Sequence, residues 1–281
     1  MKVSIKEKGA ELASLYHKEF RKDFLWDGNP QFWGRQSPIL FPIVGKLKDD
    51  EYKIGDKKYK MPQHGFARDS NFELIGKSTD RATFLLKENE ESLKNYPFRF
   101  LLYVVYELTG NTLRIAFRVK NNFEDILPFS IGFHPAFVCP FEEDEELENY
   151  ALFFEKEENL ERLILENGLI SSSEKFILQD RILALDEGIF IRDAIILKNP
   201  ESKSVTLSRR DKSGEKIGLD FENFEYLGLW KKLKARFLCI EPWLGINDYK
   251  RFEGDFLKKE GIVILKRNKY FQRQIKITIT L

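Results

Sequence analysis

Along much of the chain, apolar and polar residues alternate with the period of two that sends successive side chains to opposite faces of a strand. Between residues 112 and 120, Leu113, Ile115, Phe117 and Val119 are interleaved with Thr112, Arg114, Arg118 and Lys120. Near the end, Ile275, Ile277, Ile279 and Leu281 alternate with Lys276, Thr278 and Thr280. Both stretches predict half-buried strands. Further strands are predicted over Arg81–Lys87 and over residues 99–108, 204–208 and 237–240, separated by turn material such as Thr109-Gly110-Asn111 and Asp211-Lys212-Ser213-Gly214. Helical candidates are short: Glu90–Asn95, residues 157–163, and a turn at 225–229 that can be helical or not. With no βαβ alternation and no repeat of fixed period, the pattern predicts an all-β chain folded as a sandwich or barrel.

Length, charge and cysteine usage narrow the classes of function. All-β folds reach about 250 residues as one unit, and no Pro/Ser-rich linker divides these 281 residues, so residues 1–281 are expected to form a single domain. The acidic run at 141–148 reads as a solvated loop and lacks the Asp-x-Asp-x-Asp-Gly order of a calcium loop, so no metal is expected there. Lys and Arg number 46 against 45 Asp and Glu, a net charge of +1 that offers no field for nucleic acid or an anionic membrane. Neither a signal-type apolar run nor a stretch of about 20 apolar residues is visible. The sequence therefore predicts a cytoplasmic protein with a small-molecule partner. Cys139 and Cys239 are too few for a disulfide framework and read as reduced, packed thiols. Monomer and homodimer are equally compatible with the sequence.

Candidate chemistry gathers in four places. In Phe32-Trp33-Gly34-Arg35 and the apolar segment 37–45 that follows, Arg35 offers a planar fork of donors, either to a ligand or to a surface ion pair. In Gln63-His64-Gly65-Phe66-Ala67-Arg68, a histidine and an arginine share one turn, and His64 can face a ligand or satisfy the turn's backbone. In Gly132-Phe133-His134-Pro135, the glycine permits close backbone approach and Pro135 biases His134 toward an extended conformation. In Cys239-Ile240-Glu241-Pro242-Trp243, a carboxylate ends an apolar run, where desolvation raises its pKa toward the range of a general base. Pro242 cannot donate a ladder hydrogen bond, so the strand is expected to end near Glu241, and Trp243 suits either packing in the core, the commoner place for a tryptophan, or stacking on the apolar face of a sugar ring. Two imidazoles and one carboxylate in apolar frames point to acid/base catalysis. The third histidine, His17, has no such frame.

These segments, with Gly9-Ala10-Glu11-Leu12-Ala13-Ser14-Leu15 and Phe24-Leu25-Trp26-Asp27-Gly28 before them, resemble the galactose mutarotase-like, or aldose 1-epimerase, superfamily, most nearly its LacX-type branch. The resemblance spans nearly the whole chain. It implies a β-supersandwich of antiparallel sheets with a sugar cleft, and interconversion of sugar anomers without a cofactor. It also implies that Glu241 is the general base, His134 the general acid and His64 a sugar contact near the ring oxygen. Arg35 and Arg68 match arginines of related branches, and Asp193, with Asp220 as the alternative, matches an aspartate that holds sugar hydroxyls. One branch of the superfamily acts on hexose 6-phosphates, gripping the phosphate with arginines. With Lys46 and Lys48 near Arg35 and Arg68 in the chain, a hexose and a hexose 6-phosphate both stay open as substrates. A non-catalytic carbohydrate-binding or sensing protein is the alternative reading, although it has no use for both His134 and Glu241. A glycoside hydrolase needs a second framed carboxylate, which the sequence lacks.

Overall fold

Strands alternating in polarity can bury their apolar faces only against another sheet, and the computed structural model, which describes residues 1–281, resolves this with two large antiparallel sheets. The nine-stranded sheet has at its centre the long hairpin Phe100–Thr109 and Thr112–Asn121, turned at Gly110, with Tyr270–Thr280 on its other side. Leu113, Ile115, Phe117 and Val119 are all buried, as their alternation predicts. The second sheet runs Leu169–Phe176, Leu160–Glu166, Ile195–Lys198, Tyr226–Trp230, Phe237–Leu244, Ile131–Phe133 and Ile39–Leu40, with Ala136–Val138 also paired to Phe237–Leu244. A three-stranded N-terminal sheet, the hairpin Glu51–Ile54 with Lys57–Lys60, and a long-range pair of Leu127–Phe129 with Val263–Leu265 complete the fold. One hydrophobic cluster joins the facing sides of both large sheets, drawing Ile115, Leu207 and Ile277 from the first and Leu227, Leu238 and Ile240 from the second. No helix is long and apolar enough to cross a membrane.

Three expectations from the sequence need correction. The stretch 157–163 is not helical, because Leu160–Glu166 is a strand. Its acidic approach serves a loop instead, with the Glu158 carboxylate accepting the backbone N–H groups of Glu201 and Ser202 and that of Glu155 accepting from Lys203. Residues 225–229 likewise fall largely in the strand Tyr226–Trp230. Glu90–Asn95 is helical, capped by Asn89 through Ser92. Finally, the strand carrying Glu241 does not stop there but runs through Pro242 to Leu244.

The reason Pro242 is tolerated also explains the site. Alternate residues of a strand point their N–H groups to opposite neighbours, and Ile240 donates to Pro135 on the side of Ile131–Phe133 and Ala136–Val138. Residue 242 faces the same side, opposite Phe133 in a register that runs unbroken from Gly132–Trp243 to Ala136–Cys239, so its missing N–H omits one rung between two stretches that stay paired. Phe237–Leu244 is buried along its whole length, as a strand covered on both faces must be. Leu238, Ile240 and Leu244 enter the main core, while Phe237, Cys239 and Trp243 point to the opposite face and its two smaller apolar clusters. Glu241 shares that second face, between the two clusters.

Candidate active site

The register that continues between the two short strands places His134 across from Glu241, with Nε2 of the imidazole 3.2 Å from Oε2 of the carboxylate. Both side chains are buried, Glu241 to within 1 % of full burial. Burial pushes the Glu241 carboxyl well above its usual range. The Trp243 N–H opposes that rise and the Asp193 charge adds to it. Burial likewise pushes the His134 imidazolium down to about 3; a backbone hydrogen bond works against this, and Arg68 and Arg35 add to it. Both shifts favour the neutral forms, so the pair is driven toward a state of zero net charge holding one proton. Glu241 Oε1 and His134 Nδ1 have no partner, although both are buried.

The surroundings hold this pair in place. The Trp243 indole donates from Nε1 to Glu241 Oε2 at 3.1 Å and lies across Gly132 and Gly228 of the flanking strands, where an added Cβ would come within 2.9 Å of it. Trp243 is only 3 % exposed, which suits it to fixing the carboxylate rather than offering a face to a sugar. The half-buried aromatics of the cleft are two residues the sequence analysis did not single out as ligands. Trp33 stacks on His134 with centroids 4.8 Å apart, and Trp230 meets both of them edge-on. The signals available for them were the position of Trp33 beside Arg35 and that of Trp230 at the end of an apolar strand.

His64 sits beside the pair, its ring 5.8 Å from that of His134. Its φ of +66° and that of Gly65, +72°, make a tight corner in which a Cβ on Gly65 would lie 2.2 Å from the Phe41 carbonyl oxygen. Nδ1 accepts the Gly45 N–H at 3.1 Å, which fixes the neutral ring's proton on Nε2. Burial, followed by the charges of His134, Arg68 and Arg35, holds its pKa well below 6.5, so His64 stays a neutral donor. Arg68 donates to the Gln63 carbonyl at 2.7 Å, and burial lowers its pKa to about 10, still protonated at neutral pH.

A cleft of about 350 Å³ brings together His134, Glu241, His64, Arg68, Asp193, Trp243, Trp33, Trp230 and Asn247. Three larger surface depressions, about 570, 640 and 410 Å³, contain no histidine. Asp193 precedes the strand Ile195–Lys198 with a φ of +72° and does line the cleft. Asp220 lines the 570 Å³ depression instead, which removes it as the alternative. Arg35 lies outside the lining, tied to Asp69 at 2.8 Å, and acts on the site through its charge. His17 is buried against Phe20, far from any such pairing. Both cysteines are free and buried. Cys239 lies with His134 and Glu241 so that one ligand-type atom from each falls within 4.8 Å of the others, a donor set compatible with a zinc-like ion. Burial and the Glu241 charge hold the Cys239 thiol protonated, which opposes such binding.

A family model described as aldose 1-epimerase matches residues 1–249. Protein LacX, chromosomal, from Lactococcus lactis subsp. lactis is 38 % identical over 256 residues, covering 87 % of this chain and 85 % of its own. A galactose mutarotase related enzyme from Lactobacillus acidophilus superposes with a TM-score of 0.93 at 34 % identity, covering 99 % of this chain and 94 % of that one. A galactose mutarotase-like protein from Lactobacillus casei gives a TM-score of 0.94 at 34 % identity, covering 99 % and 96 %.

Proposed function

The chain belongs to the aldose 1-epimerase family, and from that premise we propose that it interconverts the α and β anomers of a hexose or hexose phosphate by acid/base opening and closing of the ring. The observation that carries this reading is the 3.2 Å contact between a buried imidazole and a buried carboxylate whose surroundings favour one shared proton.

In the proposed reaction, Glu241 as carboxylate takes the proton of the anomeric hydroxyl. The electron pair left on oxygen forms the aldehyde carbonyl, the bond from C1 to the ring oxygen breaks, and the ring oxygen takes a proton from the His134 imidazolium. Rotation about the C1–C2 bond presents the other face of the aldehyde, and the reverse transfers close the ring. Each half-reaction converts one tautomer of the pair into the other, carboxylate with imidazolium into carboxylic acid with imidazole. Net charge in the buried pair therefore stays constant throughout. The hydroxyl and the ring oxygen share one carbon, so both can replace the direct Glu241–His134 contact. His64, neutral and with its proton on Nε2, supplies a donor for the ring oxygen's other lone pair, and Arg68 and Asp193 supply a donor and an acceptor for further sugar oxygens. Trp33 and Trp230 offer aromatic surface to the sugar's C–H face. No cofactor is assigned, because the two residues complete the proton inventory. Continuity of the core from Ala10 to Ile279 supports residues 1–281 as one catalytic unit.

Mutarotation of anomerically pure glucose, galactose and their 6-phosphates, followed by polarimetry, tests the reading. Glu241→Gln and His134→Asn should each slow the accepted sugar by about 10²–10⁴-fold. A wild-type rate in either variant would sink the assignment, and saturable binding of a sugar without any rate would favour a binding module.

A further inference from the structure

We propose that Asn247 is a sugar-hydroxyl acceptor in the cleft, an assignment that rests on the mutarotase reading and adds a substrate requirement to it. Asn247 is 3 % exposed and lines the cleft, six residues beyond Glu241. Its Nδ2 donates to the Gly168 carbonyl at 2.8 Å, whereas its Oδ1 is buried and has no partner. Turning the amide over would set two acceptors, Oδ1 and the Gly168 oxygen, against each other, so the orientation is fixed by chemistry. Buried acceptors are rarely left without a donor, and the cleft is where one can arrive.

Everything behind the amide is braced. A Cβ on Gly45 would lie 2.3 Å from Asn247 Oδ1 and 2.5 Å from its backbone nitrogen, so the glycine is what makes room for the side chain. The next residue, Asp248, is buried; it donates its N–H to the Lys46 carbonyl at 2.8 Å and accepts from the Lys48 N–H at 2.9 Å and from the buried Lys259 ammonium at 2.6 Å. An acceptor held this rigidly discriminates by what its ligand can donate. A hydroxyl satisfies it. A phosphate ester in its dianionic form has no O–H to give, and a deoxy carbon leaves the oxygen as unmet as before. The sugar position facing Asn247 must therefore carry a free hydroxyl.

The test compares wild type and Asn247→Ala on the parent hexose and its monodeoxy analogues, reading mutarotation by polarimetry and binding by calorimetry. In the wild type, one monodeoxy sugar should lose about 10–100-fold in kcat/KM through this contact. In Asn247→Ala the parent sugar should fall by the same factor while the penalty for that one analogue disappears. If every deoxy penalty is unchanged in the variant, Asn247 is a structural residue and the proposal fails. Should Asn247→Ala not fold, Asn247→Ser, which retains a shorter acceptor, takes its place and should lose part of the same penalty. Binding without turnover in the wild type would overturn the catalytic reading while the binding comparison still decides the part of Asn247. Neither binding nor turnover would overturn both.

Discussion

Replacing Trp243 by Phe removes the indole's hydrogen bond to the Glu241 carboxylate and leaves the His134 contact in place. A hydrogen bond to a charged group contributes about 1.5–3 kcal/mol and one to a neutral group about 0.5–1.5, so the indole favours the ionised carboxylate over the acid by roughly 1–1.5 kcal/mol. At 1.36 kcal/mol per pKa unit this is about one unit. Losing a donor to the charged form raises the carboxyl pKa further above its usual range. Activity requires the one-proton pair, and above this pKa the pair has no proton, so the alkaline limb of the kcat/KM profile should move up by about one pH unit. The acid limb, where the pair gains a second proton on His134, should stay in place. At the plateau, the carboxylate–imidazolium tautomer becomes rarer by the same energy, and the rate should fall about 5–10-fold. Polarimetry from pH 5 to 10, corrected for the uncatalysed reaction, measures the alkaline limb and the plateau, and extension to about pH 2 reaches the acid limb set by His134. A slower variant whose alkaline limb has not moved would show that the indole acts through packing alone, and a limb that moves down would refute the shared-proton description.

The same pair shapes stability. Unfolding returns His134 to 6.5 and Glu241 to 4.5, so between these values folded and unfolded states each hold one proton and the pair contributes no slope. Above pH 6.5 the folded state holds the extra proton and stability falls as pH rises. Below pH 4.5 the unfolded state holds it and stability falls as pH drops, each by about 1.4 kcal/mol per pH unit. In Glu241→Gln only the lowered histidine remains, so denaturant titrations should show the acid fall beginning near pH 6.5 and no alkaline fall from this site; an unchanged alkaline fall would contradict the raised carboxyl. Lys259→Met leaves buried Asp248 without its ion partner and should cost about 3–5 kcal/mol in urea unfolding; a loss under 1 kcal/mol would show that Asp248 is satisfied by its backbone contact. Excess chelator should leave mutarotation unchanged, whereas a loss restored by zinc would place an ion on His134, Cys239 and Glu241.

How much of this was legible beforehand depends on the range over which each signal acts. Alternation is local, and it located Thr112–Asn121, Arg81–Lys87 and most of Tyr270–Thr280. The short helix Glu90–Asn95 was also legible, and the structure adds the local cap, Asn89 with Ser92, that holds its start. Residues 157–163 misled because carboxylates that hold the backbone of Glu201–Lys203 look in sequence like a charged helix face. Pro242 misled because whether a strand tolerates a proline depends on how its neighbour stays paired around it, and that neighbour, residues 131–138, lies more than a hundred residues away. The framed residues His134, Glu241 and His64 stood out through their own glycines and prolines. Asn247 carried only a faint mark, a polar side chain in the apolar setting Gly245-Ile246, and the feature that singles it out, an amide half used by Gly168, exists only after folding.

The placement of His134 and Glu241 opposite each other inside the eight-stranded sheet also decides how this protein should fail. Enzymes whose working groups hang on loops lose activity through local fraying well before they melt. Here both proposed proton carriers lie inside a sheet, sealed by apolar clusters on each side. No small opening can separate them without dismantling the strands that build the core. Heat inactivation and global unfolding should therefore follow a single curve, and tolerance to warming should be inherited from the scaffold as a whole.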